Sequence, residues 1–239
     1  MTVITGQTGV GKTTFLTEYA LDLFSQGVKT LFCSFEMSDE RILKWMLIQY
    51  AGIPLERVDM HPLVEQWLDK FERTKGSLTI MKTDLFRDKS INEIAQNHVI
   101  STGAQHVVID NLQFLVGMSL MTNDHATAWD RHNAQERFVG LLRRMVTDLG
   151  VHVTVVVHPR KTESDTDLEV QHFGGTARVT QEADNVFAIQ RRKDELSRKP
   201  RKFLTILKNR YNGKLVEGDT LEMIFQPATY SHTLVDLTK

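Results

Sequence analysis

Residues 6–13 read GQTGVGKT: Gly6 and Gly11 bracket four residues, and Lys12 and Thr13 follow. A glycine-rich turn of this spacing exposes backbone N–H groups, because no side chain crowds their approach. Entered from a strand and left by a helix, such a turn holds a phosphate chain at the positive end of the helix dipole. The flanks meet that condition. Thr2–Thr5 reads as a short apolar strand. From Lys12 to Ser25, Phe15, Leu16, Tyr19, Ala20, Leu23 and Phe24 recur at helical spacing, and Gly27 ends the run. Gly6, Gln7, Thr8, Gly9, Val10, Gly11, Lys12, Thr13 and Thr14 therefore form a candidate nucleotide-phosphate site. In it Lys12 reaches the β- and γ-phosphates and Thr13 offers its hydroxyl to Mg²⁺. The implied ligands are ATP, or another NTP, and Mg²⁺.

Working outward, strands and helices alternate. Thr30–Phe35 is apolar and stops at Glu36, and Ser38 caps a helix running to about Ala51. A helical stretch lies at 64–73, a short strand at 77–81 and a helix at 91–101. His106–Ile109 is an apolar strand ending in Asp110. The polar stretch MSLMTNDHAT, residues 118–127, reads as a loop. Trp129–Leu149 is a long helix ended by Gly150, and Val151–Val157 is the most continuously apolar strand. Unbroken apolar strands belong to parallel sheets covered on both faces. The charged stretch from His158 to Gly175 reads as a long loop. Strands at 185–190, 203–208 and 221–225 close the chain, the last of them antiparallel. This order predicts one α/β domain over residues 1–239.

In such sheets ligands bind beyond the carboxyl ends of the strands. Gly6, Glu36, Asp110 and His158 each stand directly after an apolar strand. Asp110 is a candidate for the Mg²⁺ shell. Glu36 is a candidate base for an attacking water. His158 is a candidate sensor of the γ-phosphate. Near the end of the chain, ILKNRYNG places Lys208 and Arg210 two apart, on one face of a strand. Two readings stand for them: an arginine finger reaching a neighbouring subunit's nucleotide, or a solvated edge that discourages aggregation. Arg160, Lys161 and Arg178, with Gly174 and Gly175 in the same long loop, are candidates for nucleic-acid phosphates. The acidic TESDTDLE segment beside them argues against a simple basic patch.

Bulk properties set bounds. Lys and Arg total 29 against 30 Asp and Glu, so overall charge does not mark a nucleic-acid binder. Cys33 is the single cysteine, which excludes an intrachain disulfide and a cysteine-rich zinc site. It lies in an apolar run and is expected to be a buried thiol. No apolar run has transmembrane length, so no membrane insertion is expected. A strand that begins at the second residue raises the expectation of missing upstream sequence.

The segments EYALDLFSQGVKTLFCSFEMS, HVVIDNLQF, VHPRK, QEADNV and KNRYNG, in this order, carry a resemblance. The chain resembles the RecA-type motor domain of replicative helicases of the DnaB and phage primase-helicase group, its mitochondrial member above all. The resemblance implies a RecA-like P-loop NTPase core, with a mostly parallel sheet, helices on both faces and antiparallel C-terminal strands. It implies a homo-hexamer or heptamer that hydrolyses NTP between subunits. Such a ring moves 5′ to 3′ on single-stranded and fork DNA. It further implies mitochondrial replication proteins as partners and the matrix nucleoid as location. Lys12 and Thr13 match the family's phosphate and Mg²⁺ residues, Asp110 its second acid, Glu36 its base, His158 its sensor, and Lys208 and Arg210 its trans cations. The primase-like region and the linker helix of that family have no counterpart in the sequence. A strand-exchange ATPase of the RecA or RadA kind and a non-catalytic nucleotide-binding assembly module are the alternatives.

Overall fold

The computed structural model describes residues 1–74, 77–81, 91–119, 127–159, 177–193, 200–216 and 218–238. Nine strands form one sheet: β1 (Thr2–Gly6), β2 (Thr30–Ser34), β3 (Leu78–Met81), β4 (His106–Asp110), β5 (His152–Val157), β6 (Asn185–Lys193), β7 (Pro200–Asn209), β8 (Leu221–Gln226) and β9 (Ser231–Asp236). Their order is β3-β2-β4-β5-β1-β6-β7-β8-β9. The strands from β3 to β6 in that order are parallel, and β7, β8 and β9 add antiparallel. The helices are α1 (Lys12–Ser25), α2 (Asp39–Ala51), α3 (Val64–Arg73), α4 (Ile91–Thr102), α5 (Leu112–Ser119), α6 (Ala128–Leu149) and α7 (Ala177–Glu182).

Strand alternation sorts the apolar residues onto two faces. Val3, Leu31, Val107 and Val155 face one way and pack with Val99 of α4, Leu112 of α5, Leu142 and Met145 of α6, and Val179 of α7. Ile4, Phe32, Val108 and Val156 face the other way, onto Leu16, Ala20 and Phe24 of α1, Ile42 and Met46 of α2, and Phe71 of α3. Both faces are thus covered, which is why these strands read as unbroken apolar runs. Cys33 is 1% exposed in the first of these cores, and burial pushes its thiol pKa up.

Helix ends follow local chemistry. Ser38 caps α2 by accepting the Arg41 N–H, and Gly52 closes it in the left-handed region. Thr127 and Asp130 form a reciprocal capping box at the start of α6, and Gly150 ends it. Three of these helices and strands go beyond the sequence reading. Helix α5 starts directly after Asn111, α7 is a six-residue helix, and β9 pairs with β8 from Ser231 to Asp236. No helix among the described residues is long and apolar enough to cross a membrane.

Candidate active site

The carboxyl ends of β1, β2, β4 and β5 open onto one cleft of about 300 Å³. It is lined by Thr8, Gly9, Gly11, Lys12, Thr13, Thr14, Glu36, Met37, Trp45, Asp110 and His158. The register explains the convergence: β4 lies between β2 and β5, and β5 lies beside β1. Residues far apart in sequence are therefore delivered to one edge.

Two glycines of the loop are fixed by geometry. A Cβ on Gly6 would lie 2.6 Å from the Ile189 carbonyl oxygen and 2.8 Å from Val10 Cγ1. Gly11 is the N-cap of α1 at φ 104°, where an L side chain is strained. Lys12, 7% exposed, donates from Nζ to the carbonyls of Gly6 at 2.9 Å and Gln7 at 3.0 Å. Burial lowers its pKa, and Asp110 and Glu36 oppose that shift. Thr13 Oγ1 donates to Asp110 Oδ2 at 2.6 Å. Asp110 is 1% exposed. Burial drives its pKa up to about 6 and Glu36 adds to the rise, while the Thr13 hydrogen bond and Lys12 work against it.

This donor set fits a magnesium-bound nucleotide. Thr13 and Asp110 provide two hard oxygens side by side, and the buried Asp110 carboxyl needs a cation to be comfortable as an anion. Among the described residues no cluster of three or more His, Cys, Asp and Glu could hold a metal. A site of this kind is completed by phosphate oxygens and water, as Mg²⁺ sites commonly are. The N-terminal N–H groups of α1 and the Lys12 ammonium supply the positive lining for phosphate.

A second network was invisible in the sequence. Asn111, the residue after Asp110, donates from Nδ2 to Glu36 Oε2 at 2.9 Å, and the same nitrogen lies 3.0 Å from His158 Nε2. Its Oδ1 accepts the Phe114 N–H at 2.9 Å at the start of α5. Gln113 accepts the His158 N–H at 3.1 Å and donates to the His158 carbonyl at 3.3 Å. Glu36 and His158 are thus joined through the amide of Asn111, the residue that links Asp110 to the start of α5. The one available signal was an Asn three residues before Phe114, a spacing typical of Asx capping.

Lys208 and Arg210 lie elsewhere. Asn209 pairs with Asn185, which pairs with Thr2, whereas Gly6 pairs with Ile189. The cations therefore sit at the opposite end of the sheet, about 13 Å along the strands from Gly6. Arg210 stands one residue past the end of β7. Lys208 donates to the Thr180 carbonyl at 2.7 Å. Arg210 donates to the Gln181 carbonyl at 2.9 Å and to Asp184 Oδ1 at 2.9 Å. A register shift near Val186 pairs Val186 with Lys208 but Phe187 with Ile206, so Leu207 is an extra residue in β7. This bulge turns Lys208 onto the α7 face beside Leu207, which packs into the core there.

Arg178, at the start of α7, pairs with Glu136 and Glu182, each at 3.6 Å. Arg160, Lys161, Gly174 and Gly175 lie outside the described residues.

A parallel sheet with a glycine loop at its central strand, two acids at neighbouring strand ends and an antiparallel C-terminal extension defines a P-loop ATPase fold of the RecA-like class. Residues 1–164 match the family described as AAA domain, and the chain belongs to that family. One solved ATPase domain superposes with a TM-score of 0.77 at 15% identity, over 98% of this chain and 84% of that one. A DnaB-like replicative helicase, solved in a study of its interactions with primase, gives 0.76 at 16% identity. The match covers 97% of this chain and 56% of that chain, so this chain spans just over half its length. At these identities the likeness is one of fold.

Proposed function

We propose that the chain is the NTP-hydrolysing motor of a replicative DNA helicase, similar to Twinkle, the mitochondrial replicative helicase. It hydrolyses ATP between subunits of a homo-hexamer or heptamer that moves 5′ to 3′ on single-stranded and fork DNA. The observation that carries this reading is the split layout. Lys12, Thr13, Glu36, Asp110 and His158 share one cleft, while Lys208 and Arg210 stand at the far end of the sheet. A Lys–Arg pair that stands away from its own chain's cleft is suited to completing a neighbour's. The fold shared with DnaB-like ATPase domains supports the reading, as do the segment resemblances to the mitochondrial enzyme. A mitochondrial location and mitochondrial replication partners belong to the same proposal.

In this mechanism the α1 N-terminus and Lys12 bind the phosphate chain. Thr13 and Asp110 would hold Mg²⁺, which would supply neutralisation of negative charge on the phosphates. Glu36 orients and deprotonates the attacking water. His158 contacts the terminal phosphate and registers its loss. Lys208 and Arg210 of one subunit stabilise charge in the adjoining cleft; a trans arginine of this kind is worth roughly 10³–10⁵ in rate. Arg160, Lys161, Gly174, Gly175 and Arg178 contact the DNA backbone.

The test is ATP hydrolysis against protein concentration, with and without single-stranded DNA, for the wild type and Lys12→Ala. Turnover per subunit that rises steeply with concentration and again with DNA, and vanishes in Lys12→Ala, supports the shared-site motor. Turnover that is flat in concentration and indifferent to DNA removes it for this chain.

A further inference from the structure

The amide of Asn111 has two hydrogens and one oxygen, and all three are accounted for. The Phe114 N–H requires an acceptor, which fixes Oδ1 toward α5 and leaves the NH₂ facing the cleft. One N–H then goes to the Glu36 carboxylate at 2.9 Å. The other meets His158 Nε2 at 3.0 Å, and a donor there demands an acceptor on the ring. His158 is therefore the tautomer with a bare Nε2 and its proton on Nδ1. A doubly protonated ring would set N–H against N–H. Desolvation and the Lys12 ammonium lower the His158 pKa, against the opposing pull of Glu36, which favours the same neutral ring. Gln113 holds the backbone of that residue from both sides, so the ring's root cannot drift.

The geometry points to Asn111 as a positioning residue that ties the water-activating Glu36 and the phosphate-facing His158 into one hydrogen-bonded unit and sets the His158 tautomer. This rests on the hydrolytic reading of the cleft. The physical content is specific. One amide bonds both groups, so Glu36 and His158 cannot reorient independently. If terminal phosphate draws the ring away, Nδ2 loses an acceptor, and the amide that holds the Glu36 carboxylate is no longer held by His158. The amide thereby passes the state of the phosphate site to the base, and its carbonyl passes it to the first turn of α5.

The experiment has two arms, read on folded protein verified by thermal melting. In the first, Asn111→Ala and Asn111→Asp are assayed for ATP turnover and for binding of a fluorescent ATP analogue. Both are expected to lower kcat by about 10²-fold, the cost of a misplaced catalytic group, with nucleotide affinity at the wild-type level. In the second, ¹⁵N-detected imidazole spectra are recorded without nucleotide, with His158 assigned by subtraction of His158→Gln. The wild type is expected to show Nδ1–H with a bare Nε2. In Asn111→Ala the two tautomers mix. In Asn111→Asp the new carboxylate accepts from Nε2–H, and the ring titrates at higher pH than in the wild type. A wild-type proton on Nε2 overturns the assignment. So does unchanged kcat in both variants, or a loss of affinity that matches the loss of kcat. The spectra need no turnover, so failure of the hydrolytic reading leaves them decisive.

Discussion

Replacing Asp110 with Asn should make the nucleotide-free protein more stable while abolishing its hydrolytic competence. The carboxyl is 1% exposed, and burial and Glu36 push its pKa from 3.8 to about 6. Lifting the carboxyl that far corresponds to about 3 kcal/mol. The sign follows from proton counting. With a folded pKa above the unfolded one, the native state holds more protons between pH 3.8 and about 6, so stability falls as pH rises through that window and stays reduced above it. The introduced amide keeps an oxygen to accept the Thr13 hydroxyl and carries no charge. Asp110→Asn should therefore raise the melting temperature by roughly 5–10 °C at neutral pH, with the gain shrinking toward pH 4. Thermal melts of both proteins across pH, without metal or nucleotide, give the comparison, in which other titrating groups largely cancel. Magnesium nucleotide should then stabilise the wild type and not the variant. A variant no more stable than the wild type at neutral pH, or a gain that grows on acidification, would refute the reasoning.

Gly6→Ala sets a methyl against the Ile189 carbonyl and Val10; urea melts should show a loss of about 1–3 kcal/mol together with weakened nucleotide binding. Arg210→Ala should leave nucleotide affinity intact yet remove turnover at concentrations where subunits associate, and unchanged turnover there would eliminate the trans finger. His106 is buried against Thr154 with its pKa lowered to about 3, chiefly by desolvation. A depressed histidine gives stability that is present above its unfolded pKa and drains as pH falls toward the folded one. His106→Gln should therefore flatten the acid limb of a stability–pH curve measured by urea midpoints.

Much of this architecture was readable in the sequence because parallel strands buried on both faces declare themselves as apolar runs. Each cleft-lining residue at a strand's carboxyl end could be found by reading where its run stopped, as with Glu36, Asp110 and His158. What escaped depends on contacts between distant segments. Asn111 looks like an ordinary residue after Asp110 until folding brings Glu36 and His158 within reach of one amide. Helix α5 hid because only Asp110 and Asn111 separate its short apolar run from β4, and α7 because six residues carry too little periodicity. Strand β9 alternates weakly and owes its place to pairing with β8. Spacing put Lys208 and Arg210 on a common side but could not say which end of the sheet, or which face, they would occupy.

That last property rests on a count of residues more than on their chemistry. The single surplus residue at Leu207 decides which side of the sheet Lys208 addresses. Regular alternation would give Lys208, two residues on, the face of Ile206; the surplus residue gives it the face of Val186 instead. Deleting Leu207 would make Lys208 the direct successor of Ile206 and leave it on the α7 side, so the aim of this cation survives a loss of length that would turn a side chain over in a plain strand.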